Sequence, residues 1–361
     1  MSTALPSEKK IDKEKAKNFL ARFQQDLAGA MSTRLCAIGD RLGLFKSLHE
    51  DGPATSAELA ARTGIQERYA REWLQGLAAA GYLDVDPARM SYALPAEHAK
   101  PLADEDSPLF QGGILELLAH AQTPFEQLVD AFKNGGGVSQ AHFHPNLYHG
   151  MSRSSGVRYK NLLLQQWLPS MPDVQAMLER GVSVVDIGCG MGSALMRMAE
   201  AFPKSSFVGI DAFAPQVEGA NARAKQAGLQ DRLSFSVGDG AEKLPSSYDV
   251  IFTFDVIHDS PRPLEAMRNI RAHLKPGGVY VMQEITSEDE THANIGPMAA
   301  MKYGMSLHYC MTTSLAQGGA GLGTCGMPEK MVRELSKQAG FGRVVKSPAC
   351  NDFISLYEIW P

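Results

Sequence analysis

The sequence contains little cysteine and no long hydrophobic run. The five cysteines are scattered along the chain, at Cys36, Cys189, Cys310, Cys325 and Cys350. Their odd number and the lack of a C-x-x-C pair argue against a disulfide framework and a zinc cluster, so no metal is expected. Since no run of about 18 apolar residues occurs, no membrane span is predicted. The polar stretch from Met1 to Lys17 lacks the apolar core of a signal peptide. A reducing, cytoplasmic location is therefore expected.

A strong charge of either sign is also missing. The 35 lysine and arginine residues are offset by 40 aspartate and glutamate residues, which leaves a net charge of −5. This balance argues against nucleic acid or an anionic membrane as the main partner. At 361 residues the chain is long enough for two domains and a sizeable core.

The most informative stretch is a β-branched run followed by a glycine-rich turn. Val182 to Gly192 reads V-S-V-V-D-I-G-C-G-M-G, which predicts a buried strand, three closely spaced glycines and then a helix. Glycines let the backbone turn tightly and let a ligand approach the main chain, and the next helix offers unpaired N–H groups. The turn is therefore predicted to hold part of a nucleotide-like ligand. Its G-x-G-x-G spacing differs from the dinucleotide fingerprint G-x-G-x-x-G.

More strands follow at regular intervals, and several end in an acid. The predicted strands after the glycine-rich turn are 206–211, 233–237, 248–254, 279–285, 343–346 and 353–359. Asp211 ends the first of these and lies about 20 residues beyond the glycines, where an acid meets ribose hydroxyls in nucleotide-binding units. A nucleotide-like ligand thus gains a second predicted contact.

This order of motifs resembles that of the class I S-adenosylmethionine (SAM) methyltransferases. D-I-G-C-G-M-G, with Asp186, Gly188 and Gly190, is similar to motif I of that family. In the family an acid after the third strand of this unit binds the adenine amino group, and Asp239, followed by Gly240, matches it. The segment L-K-P-G-G before the fifth strand is also typical of the family.

The resemblance implies a fold, a cofactor and a set of contacts. The fold is α/β, with a Rossmann-like seven-stranded methyltransferase sheet and an N-terminal helical winged-helix domain. SAM is the implied cofactor. Asp211 is expected to bind it together with the motif residues just named, and Asp255 after the fourth strand is a further candidate.

A long amphipathic helix and a winged-helix pattern precede the sheet. Residues 1–12 are expected to be frayed. From Lys13 to Leu42 apolar residues recur near helical spacing, with Gly29 as a candidate break, and such a first helix often packs against a second subunit. Thr55 and Glu58 have the spacing of a capping box, which predicts the start of another helix. A further helix at 65–81, a short strand at 81–83 and a wing then follow.

Two uses of a winged helix remain open. Arg62, Arg68 and Arg71 lie near the predicted recognition helix, but no dense basic patch accompanies them, which argues against DNA binding. A winged helix followed by a SAM domain also occurs in small-molecule O-methyltransferases, where the helical domain makes the dimer and covers the substrate. The resemblance therefore implies a homodimer, and a SAM-sensing regulator is the alternative.

A loop with three histidines lies between the two regions. His142, His144 and His149 follow a glycine-rich break, and no acid or cysteine at ligand spacing joins them, so they are expected in the substrate pocket rather than at a metal. In the methyltransferase family the helix before motif I often covers the methionine part of SAM. Arg153 and Tyr159 are therefore candidates for contact with the SAM carboxylate or for a lid.

His258 is the main candidate for chemistry. It follows the fourth strand, at the sheet edge where α/β folds bind ligands. The segment F-D-V-I-H-D-S-P resembles one of plant-type O-methyltransferases whose histidine removes the acceptor's proton, and His258 and Asp259 match its His-Asp pair. Phe254 replaces the lysine of that pattern, so the adenine contact of that lysine is not carried over. Glu284 is expected to orient the imidazole. Loop packing is the alternative role for His258.

An insertion at 286–327 is expected to shape the acceptor pocket, with Tyr303 and His308 among its lining residues. Its methionine and aromatic residues are also compatible with core packing. The glycines between Gly318 and Gly323 follow no strand and predict a mobile lid. The stretch H-Y-C-M-T-T-S-L-A-Q-G-G-A-G-L-G resembles a winged-helix methyltransferase subfamily in which some members have been linked to methylation of small thiols.

The predicted layout has three parts. A winged-helix dimerisation domain spans 1–105, a helical linker and lid spans 106–170, and the SAM-binding domain spans 171–361. The predicted function is methyl transfer from SAM to a small thiol of the hydrogen sulfide or methanethiol class, because the insertion is apolar and offers few charged groups. The alternatives are O-methylation of a phenolic or polyketide-like metabolite and SAM sensing by a winged-helix regulator.

Overall fold

The structure, a computed structural model, describes residues 11–121 and 124–361. The predicted fraying of residues 1–12 therefore falls almost wholly outside the described residues. The chain divides into two compact units, Met1–Leu115 and Glu116–Pro361. Among the described residues, no helix combines the length and the apolar character needed to cross a membrane.

The first unit contains helices and one small hairpin. The helices are α1 (Lys13–Arg41), α2 (Leu44–Glu50), α3 (Ser56–Thr63), α4 (Glu67–Ala79) and α5 (Ala96–Leu102), and α6 (Gly112–Ala121) starts at its end. The hairpin pairs β1 (Asp84–Asp86) with β2 (Ser91–Ala93), and Val85 lies opposite Tyr92.

The helix α1 is continuous over 29 residues. The predicted break at Gly29 is wrong, because one glycine costs only about 1 kcal/mol relative to alanine in a helix. The start of the helix is stabilised by Asp12, whose carboxylate accepts hydrogen bonds from the backbone N–H groups of Glu14 and Lys15.

The helices α3 and α4 and the hairpin form the predicted winged-helix arrangement. The capping box is present, since Glu58 N–H donates to Thr55 Oγ1 at 3.3 Å and Thr55 N–H donates to the Glu58 carboxylate at 2.8 Å. The first wing strand begins at Asp84 rather than at 81–83. Gly81 has a positive φ of 78°, so the chain turns there before it extends.

The second unit is built on a seven-stranded sheet, which confirms the predicted fold class. Its strands are β3 (Ser183–Ile187), β4 (Ser206–Asp211), β5 (Leu233–Val237), β6 (Tyr248–Phe254), β7 (Leu274–Ile285), β8 (Arg343–Lys346) and β9 (Ile354–Trp360). The order is β5-β4-β3-β6-β7-β9-β8, with β3 to β7 parallel and β9 antiparallel to both of its neighbours. L-K-P-G-G is part of β7, which begins at Leu274 opposite Tyr248 and not at Val279 as predicted.

Helices cover both faces of the sheet and build the insertion. They are α7 (Phe125–Asn134), α8 (Pro145–Arg158), α9 (Pro172–Arg180), α10 (Ser193–Ala201), α11 (Ala214–Gln226), α12 (Pro263–Ala272), α13 (Pro297–Met305), α14 (Met311–Ala316) and α15 (Glu329–Gln338). The π-helical segments Tyr159–Trp167 and Ser306–Cys310 continue α8 and α13.

The alternation of side chains along β7 divides the unit into two cores. Val279 and Val281 pack on one face, with Trp167 and other residues of that cluster. Tyr280 and Met282 pack on the opposite face. Since side chains alternate along a strand, Glu284 belongs to the second face and lies at the carboxyl end of β7. This position brings a buried carboxylate to the edge where ligands bind in open α/β sheets.

Candidate active site

The glycine-rich turn after β3 depends on glycine for both conformation and space. Gly188, Gly190 and Gly192 have φ values of 73°, 53° and 72°. A Cβ on Gly188 would lie 2.5 Å from a methyl group of Val256, and one on Gly192 would lie 2.4 Å from the Phe235 ring. The main chain is therefore bare and closely packed at this turn, as the approach of a ligand to backbone N–H groups requires.

Asp211, at the end of β4, holds the turn in place. Its carboxylate accepts hydrogen bonds from Gly190 N–H at 2.8 Å and from Phe213 N–H at 2.9 Å. Burial raises the pKa of Asp211, and these two hydrogen bonds oppose the rise. The residue predicted to bind ribose thus lies beside the glycine turn that is predicted to hold part of the ligand.

Asp186, the second-last residue of β3, has a buried carboxyl oxygen without a hydrogen-bond partner. The residue is 2% exposed, and its Oδ1 makes no hydrogen bond. Burial first, and then the nearby Asp211 carboxylate, raise the pKa of Asp186 well above its usual value. An unpaired buried oxygen is costly unless a ligand donor reaches it. A ligand that carries an ammonium group beside the glycine turn fits this position.

The predicted adenine-binding acid follows β5. Asp239 Oδ1 accepts a hydrogen bond from Ala241 N–H at 2.8 Å, and Oδ2 pairs with Arg262 Nη2 at 2.6 Å. A Cβ on Gly240 would lie 2.5 Å from Ile187 Cγ2, so glycine lets this loop pack against the end of β3. The loop therefore lies at the same edge as the glycine turn.

His258 and Glu284 form a buried pair at the ends of β6 and β7. His258 Nδ1 lies 2.6 Å from Glu284 Oε2, and Glu284 Oε1 accepts a hydrogen bond from Ile257 N–H at 2.9 Å. His258 is 2% exposed and Glu284 is fully buried. The structure thus brings together the two side chains that were expected to act as base and orienting group.

Further acids surround the imidazole. His258 Nε2 lies 3.1 Å from Asp259 Oδ1, and His258 Nδ1 lies 3.7 Å from Asp255 Oδ1. Burial alone lowers the pKa of His258, but Asp259 and Glu284 favour the imidazolium and raise this pKa well above its usual value. The pKa of Asp255 rises to about 6 because the carboxyl is buried, although His258 and Arg158 oppose the rise.

Asp255 also has an unusual backbone conformation. Its φ is 66°, one of two positive values among the described non-glycine residues. Such a conformation costs about 1–2 kcal/mol for a residue with a Cβ, and outliers of this kind concentrate at functional sites. The carboxyl group is thereby directed between His258 and Arg158, whose Nη2 lies 3.9 Å from Asp255 Oδ2.

The candidates from the helix before motif I differ in their surroundings. Tyr159 is buried against Trp167 and Phe254, with ring centroids 6.0 and 5.3 Å away. Burial raises the pKa of its phenol, so the ring stays neutral. Arg153 pairs with Glu116 at 3.1 Å. Tyr159 therefore packs beside the strand ends, and Arg153 belongs to an ion-pair cluster on α6 and α8.

The three loop histidines do not converge. His149 Nδ1 lies 2.9 Å from the Glu116 carboxylate, while His144 Nδ1 accepts a hydrogen bond from Asn146 N–H and caps α8. His142 ends a short 3₁₀ turn and is exposed. Within residues 11–121 and 124–361, the groups of metal-type ligands centre on His258 and do not include these histidines.

The insertion packs on the histidine loop. Val138 N–H donates to Thr312 Oγ1 at 2.8 Å, and the Phe143 and Tyr309 ring centroids are 5.3 Å apart. Of the predicted pocket residues, His308 bonds through Nδ1 to a backbone carbonyl of its own helix, and Tyr303 is 39% exposed. Their role as pocket residues stays a prediction.

The glycine segment of the insertion lies against the loop that carries His258. Ala320 N–H donates to Pro261 O at 3.0 Å, and a Cβ on Gly319 would lie 2.4 Å from Pro261 Cα. Ser314 Oγ accepts a hydrogen bond from Gly321 N–H. The segment predicted as a mobile lid is thus hydrogen-bonded to Pro261 of that loop and to Ser314 of α14.

Sequence reasoning missed Cys310 at this site. Its thiol and the nearest ligand atoms of His258 and Asp259 lie within 4.8 Å of one another. Burial raises the pKa of Cys310 to about 12, so it stays a neutral thiol. A lone cysteine in a π-helical segment, more than 50 positions from His258, has no local pattern that would have indicated this contact.

Comparison with known proteins agrees with this geometry. Residues 178–322 match the family described as "Methyltransferase domain", and residues 30–104 match the "Rv2258c-like winged HTH domain". The chain therefore contains a methyltransferase domain, preceded by a winged HTH domain. This confirms the predicted enzyme class and its cofactor, SAM, for the matched domain.

Two relatives of this chain have names that refer to an O-methyl or an O-demethyl group. The 27-O-demethylrifamycin SV methyltransferase of Amycolatopsis mediterranei is 34% identical over 37% of this chain and 48% of its own length. The mitomycin biosynthesis 6-O-methyltransferase of Streptomyces lavendulae is 27% identical over 69% of this chain and 73% of its own length. This chain spans about half the length of the rifamycin enzyme.

The fold is also that of a solved O-methyltransferase. The mitomycin 7-O-methyltransferase MmcR has a TM-score of 0.70 to this winged-helix methyltransferase, with 22% identity over 97% of this chain and 99% of that one. At this identity the likeness concerns the fold.

Proposed function

We propose that the protein transfers the methyl group of SAM to a hydroxyl oxygen of a small phenolic or polyketide-like acceptor. The observation that carries the proposal is the buried His258–Glu284 pair, at the strand ends beside the glycine turn. The names of the relatives favour oxygen as the methyl acceptor. The small-thiol acceptor expected from the sequence stays a prediction, and the experiment below includes it.

Four groups of this chain suit SAM. The glycine turn offers bare backbone, Asp211 suits the ribose hydroxyls, and Asp239 suits the adenine amino group. The unpartnered Asp186 oxygen suits the ammonium of the methionine part. When bound, SAM would supply an electrophilic methyl group on a sulfonium. The protein then contributes alignment of the acceptor and exclusion of water.

His258 is the proposed general base. Nδ1–H donates to Glu284, so the neutral imidazole carries its lone pair on Nε2. Nε2 would take the acceptor's proton, and the Glu284 carboxylate would stabilise the imidazolium that results. In the structure Nε2 faces Asp259 at 3.1 Å, so the acceptor hydroxyl would replace that contact. Because the pKa of His258 is raised, the base form becomes more abundant as the pH increases above the usual histidine range.

The winged helix offers little free positive charge for DNA. Arg71 pairs with Glu67 at 2.6 Å, Arg68 pairs with Glu72, and the Arg62 guanidinium donates to backbone carbonyls. Phosphate contacts need cations that are not already neutralised. These pairs support the enzyme over the SAM-sensing regulator, and a gel-shift titration at physiological salt would detect the regulator.

The exposed apolar side chains of α1 favour the proposal that the protein is a homodimer. A row of apolar side chains on α1 is between 48% and 68% exposed, namely Phe19, Leu20, Phe23, Leu27, Met31 and Ile38. Exposed apolar rows of this kind mark protein interfaces. Leu27→Asp is expected to convert a dimer to a monomer in light scattering, with Glu14→Lys as a control at the polar start of the helix. A wild-type monomer at micromolar concentration would contradict the dimer.

The central experiment measures methyl transfer by the purified protein. SAM is offered with a panel of phenols and hydroxynaphthalenes and with a panel of small thiols, and S-adenosylhomocysteine and methylated product are followed. Turnover of hydroxyl acceptors supports the proposal, and turnover of thiols alone overturns it in favour of S-methylation.

The His258→Ala variant tests the proposed base. It is expected to bind SAM like the wild type and to lose about a hundredfold or more in kcat on hydroxyl acceptors. His273→Ala, at the end of α12, is the matched control, because His273 Nδ1 bonds only to a carbonyl of its own helix at 2.8 Å. Equal turnover in the His258→Ala variant would remove the base role.

A further inference from the structure

Arg158, the last residue of α8, is a cation with few partners. Its side chain is 19% exposed, and its buried Nε makes no hydrogen bond. Nη1 donates to Ser154 Oγ at 3.3 Å, and Nη2 lies 3.9 Å from Asp255 Oδ2. The guanidinium also lies over the Phe353 ring, 5.6 Å from its centroid. Most of the five N–H donors are therefore without a close acceptor.

These contacts are longer than those of a satisfied guanidinium. Arginine–carboxylate hydrogen bonds are about 2.7–2.9 Å long and are often bidentate. Removing a charged donor from water without pairing it costs free energy, and a planar carboxylate is the ligand that matches its fork. Arg158 therefore has N–H donors that could bind the carboxylate of a ligand.

One contact of Arg158 lies on the far side of the sheet from the predicted SAM-binding acids. The SAM-type turn follows β3, whereas Phe353 precedes β9, three strands further along the sheet order. At about 4.8 Å per strand, β9 lies about 14 Å from β3, whereas Asp255, the other contact of Arg158, follows β6, the neighbour of β3. Lys302 of the insertion lies over the same ring at 5.7 Å, and its Nζ donates to the carbonyls of Thr286 and Asp352.

Asp255 connects this position to the proposed base. Its two oxygens lie 3.9 Å from Arg158 Nη2 and 3.7 Å from His258 Nδ1. Arg158 and His258 are therefore within about 10 Å of each other, the span of a one- or two-ring aromatic acid. The Asp255 carboxylate would compete with an incoming anion. Its pKa of about 6, raised by burial, lets it take up a proton more readily than an ordinary aspartate.

We propose that Arg158 binds a carboxylate of the methyl acceptor, so that the preferred acceptors are aromatic acids that carry the reacting group and a carboxylate on the same ring system. This inference rests on the proposed function. The carboxylate would form the two-pronged hydrogen bond with Arg158 and present the reacting hydroxyl towards His258. Its other possible source is the methionine part of SAM, and the experiment separates the two.

The test uses acceptors that differ only in the carboxylate. The pairs are 1-hydroxy-2-naphthoate with 1-naphthol and, for the thiol alternative, 2-mercaptobenzoate with thiophenol. The variants are Arg158→Met, which removes the charge, and Arg158→Lys, which keeps the charge without the fork. Arg333→Met is the control, because Arg333 pairs with Glu329 on the exposed face of α15. For each protein, kcat/KM for both members of a pair and the Kd of SAM are measured.

The wild type and Arg333→Met are expected to prefer the acid of a pair. Arg158→Met should reduce kcat/KM for the acid by about tenfold or more and leave kcat/KM for the compound without a carboxylate unchanged. For the acid, kcat/KM of Arg158→Lys should lie between those of the wild type and Arg158→Met. The Kd of SAM should stay the same, which also shows that the variants are folded. The inference is overturned if the wild type shows no preference for the acid or if Arg158→Met keeps that preference. The inference is also overturned if Arg158→Met raises the Kd of SAM and leaves the preference for the acid unchanged.

Failure of the proposed function would look different. If no acceptor of either panel is turned over, methyl transfer to these classes is refuted. Arg158 can still be tested by binding. The Kd values of 1-hydroxy-2-naphthoate and 1-naphthol are compared for the protein saturated with S-adenosylhomocysteine. A preference for the acid that Arg158→Met abolishes supports the carboxylate site, and equal binding of both compounds to the wild type refutes it.

Discussion

Replacing Glu284 by glutamine tests the buried pair directly. The two Glu284 oxygens accept hydrogen bonds from His258 Nδ1 at 2.6 Å and from Ile257 N–H at 2.9 Å. Glutamine offers one oxygen and one NH₂ group, so one of the two N–H donors would face another donor. If the NH₂ group faces His258, the imidazole is driven to the tautomer with its proton on Nε2, and the base is lost.

The electrostatic effect has a definite sign. Burial lowers the pKa of His258, whereas Asp259 and Glu284 raise it and prevail. A hydrogen bond to a charged group contributes about 1.5–3 kcal/mol, and one pKa unit corresponds to about 1.4 kcal/mol. Losing the Glu284 charge should therefore lower the pKa of His258. Since the neutral imidazole is the active form, the acid limb of kcat/KM moves to lower pH by the same amount.

The maximal rate should fall at the same time. The imidazolium that forms as the acceptor loses its proton would no longer face a carboxylate, which we expect to reduce the plateau by about tenfold or more. The assay is kcat/KM for a hydroxyl acceptor between about pH 5.5 and 9.5. Glu358→Gln, a buried carboxylate on β9 outside the His258 cluster, is the control. An unchanged acid limb in Glu284→Gln, or a limb at higher pH, would refute the reasoning.

Two further substitutions test the ligand edge. Asp255→Asn should stabilise the protein by about 3 kcal/mol at pH 8 and have little effect at pH 4 in urea unfolding. The folded pKa of about 6 exceeds the unfolded one, so the ionised carboxyl is penalised only at higher pH; asparagine also tolerates the positive φ. Lower stability at pH 8 would contradict this. Asp211→Asn should raise the Kd of SAM about tenfold or more in calorimetry, because one amide oxygen cannot hold both Gly190 N–H and Phe213 N–H; an unchanged Kd would contradict the role of Asp211.

The sequence was most informative where function depends on local spacing. The glycine turn, with Asp186 and Asp211 at adjacent strand ends, follows from a short motif and from the order of the strands. The meeting of His258 and Glu284 was also predictable, because β6 and β7 are consecutive parallel strands and their carboxyl ends lie side by side.

Local sequence patterns predicted poorly those features that depend on tertiary packing. Gly29 has the composition of a break, yet the surrounding helix of 29 residues outweighs one unfavourable position. The three loop histidines are close in sequence, but the start of α8 directs His144 to a cap and His149 to Glu116. Their proximity along the chain therefore does not become proximity at one site.

The contacts of Arg158 and Cys310 could not be predicted from the sequence either. Both lie in helices whose apolar spacing is irregular, and both reach the His258 loop from outside the strand order. Their contacts depend on how α8 and the insertion lie over the sheet edge. No periodicity in the chain encodes that placement, so it could be read only from the structure.

The strand order separates the two halves of the site. β3 has β4 on one side and β6 on the other, so the chain reverses its direction of travel across the sheet there, and ligands bind at such a switch point. The proposed SAM contacts lie at the ends of β3, β4 and β5, whereas His258, Glu284 and the Phe353 ring under Arg158 lie at the ends of β6, β7 and β9. Substitutions on the first side should therefore act on the Kd of SAM, and those on the second side should act on the acceptor and on proton transfer. Asp255 contacts both Arg158 and His258, and its role in SAM binding stays a prediction.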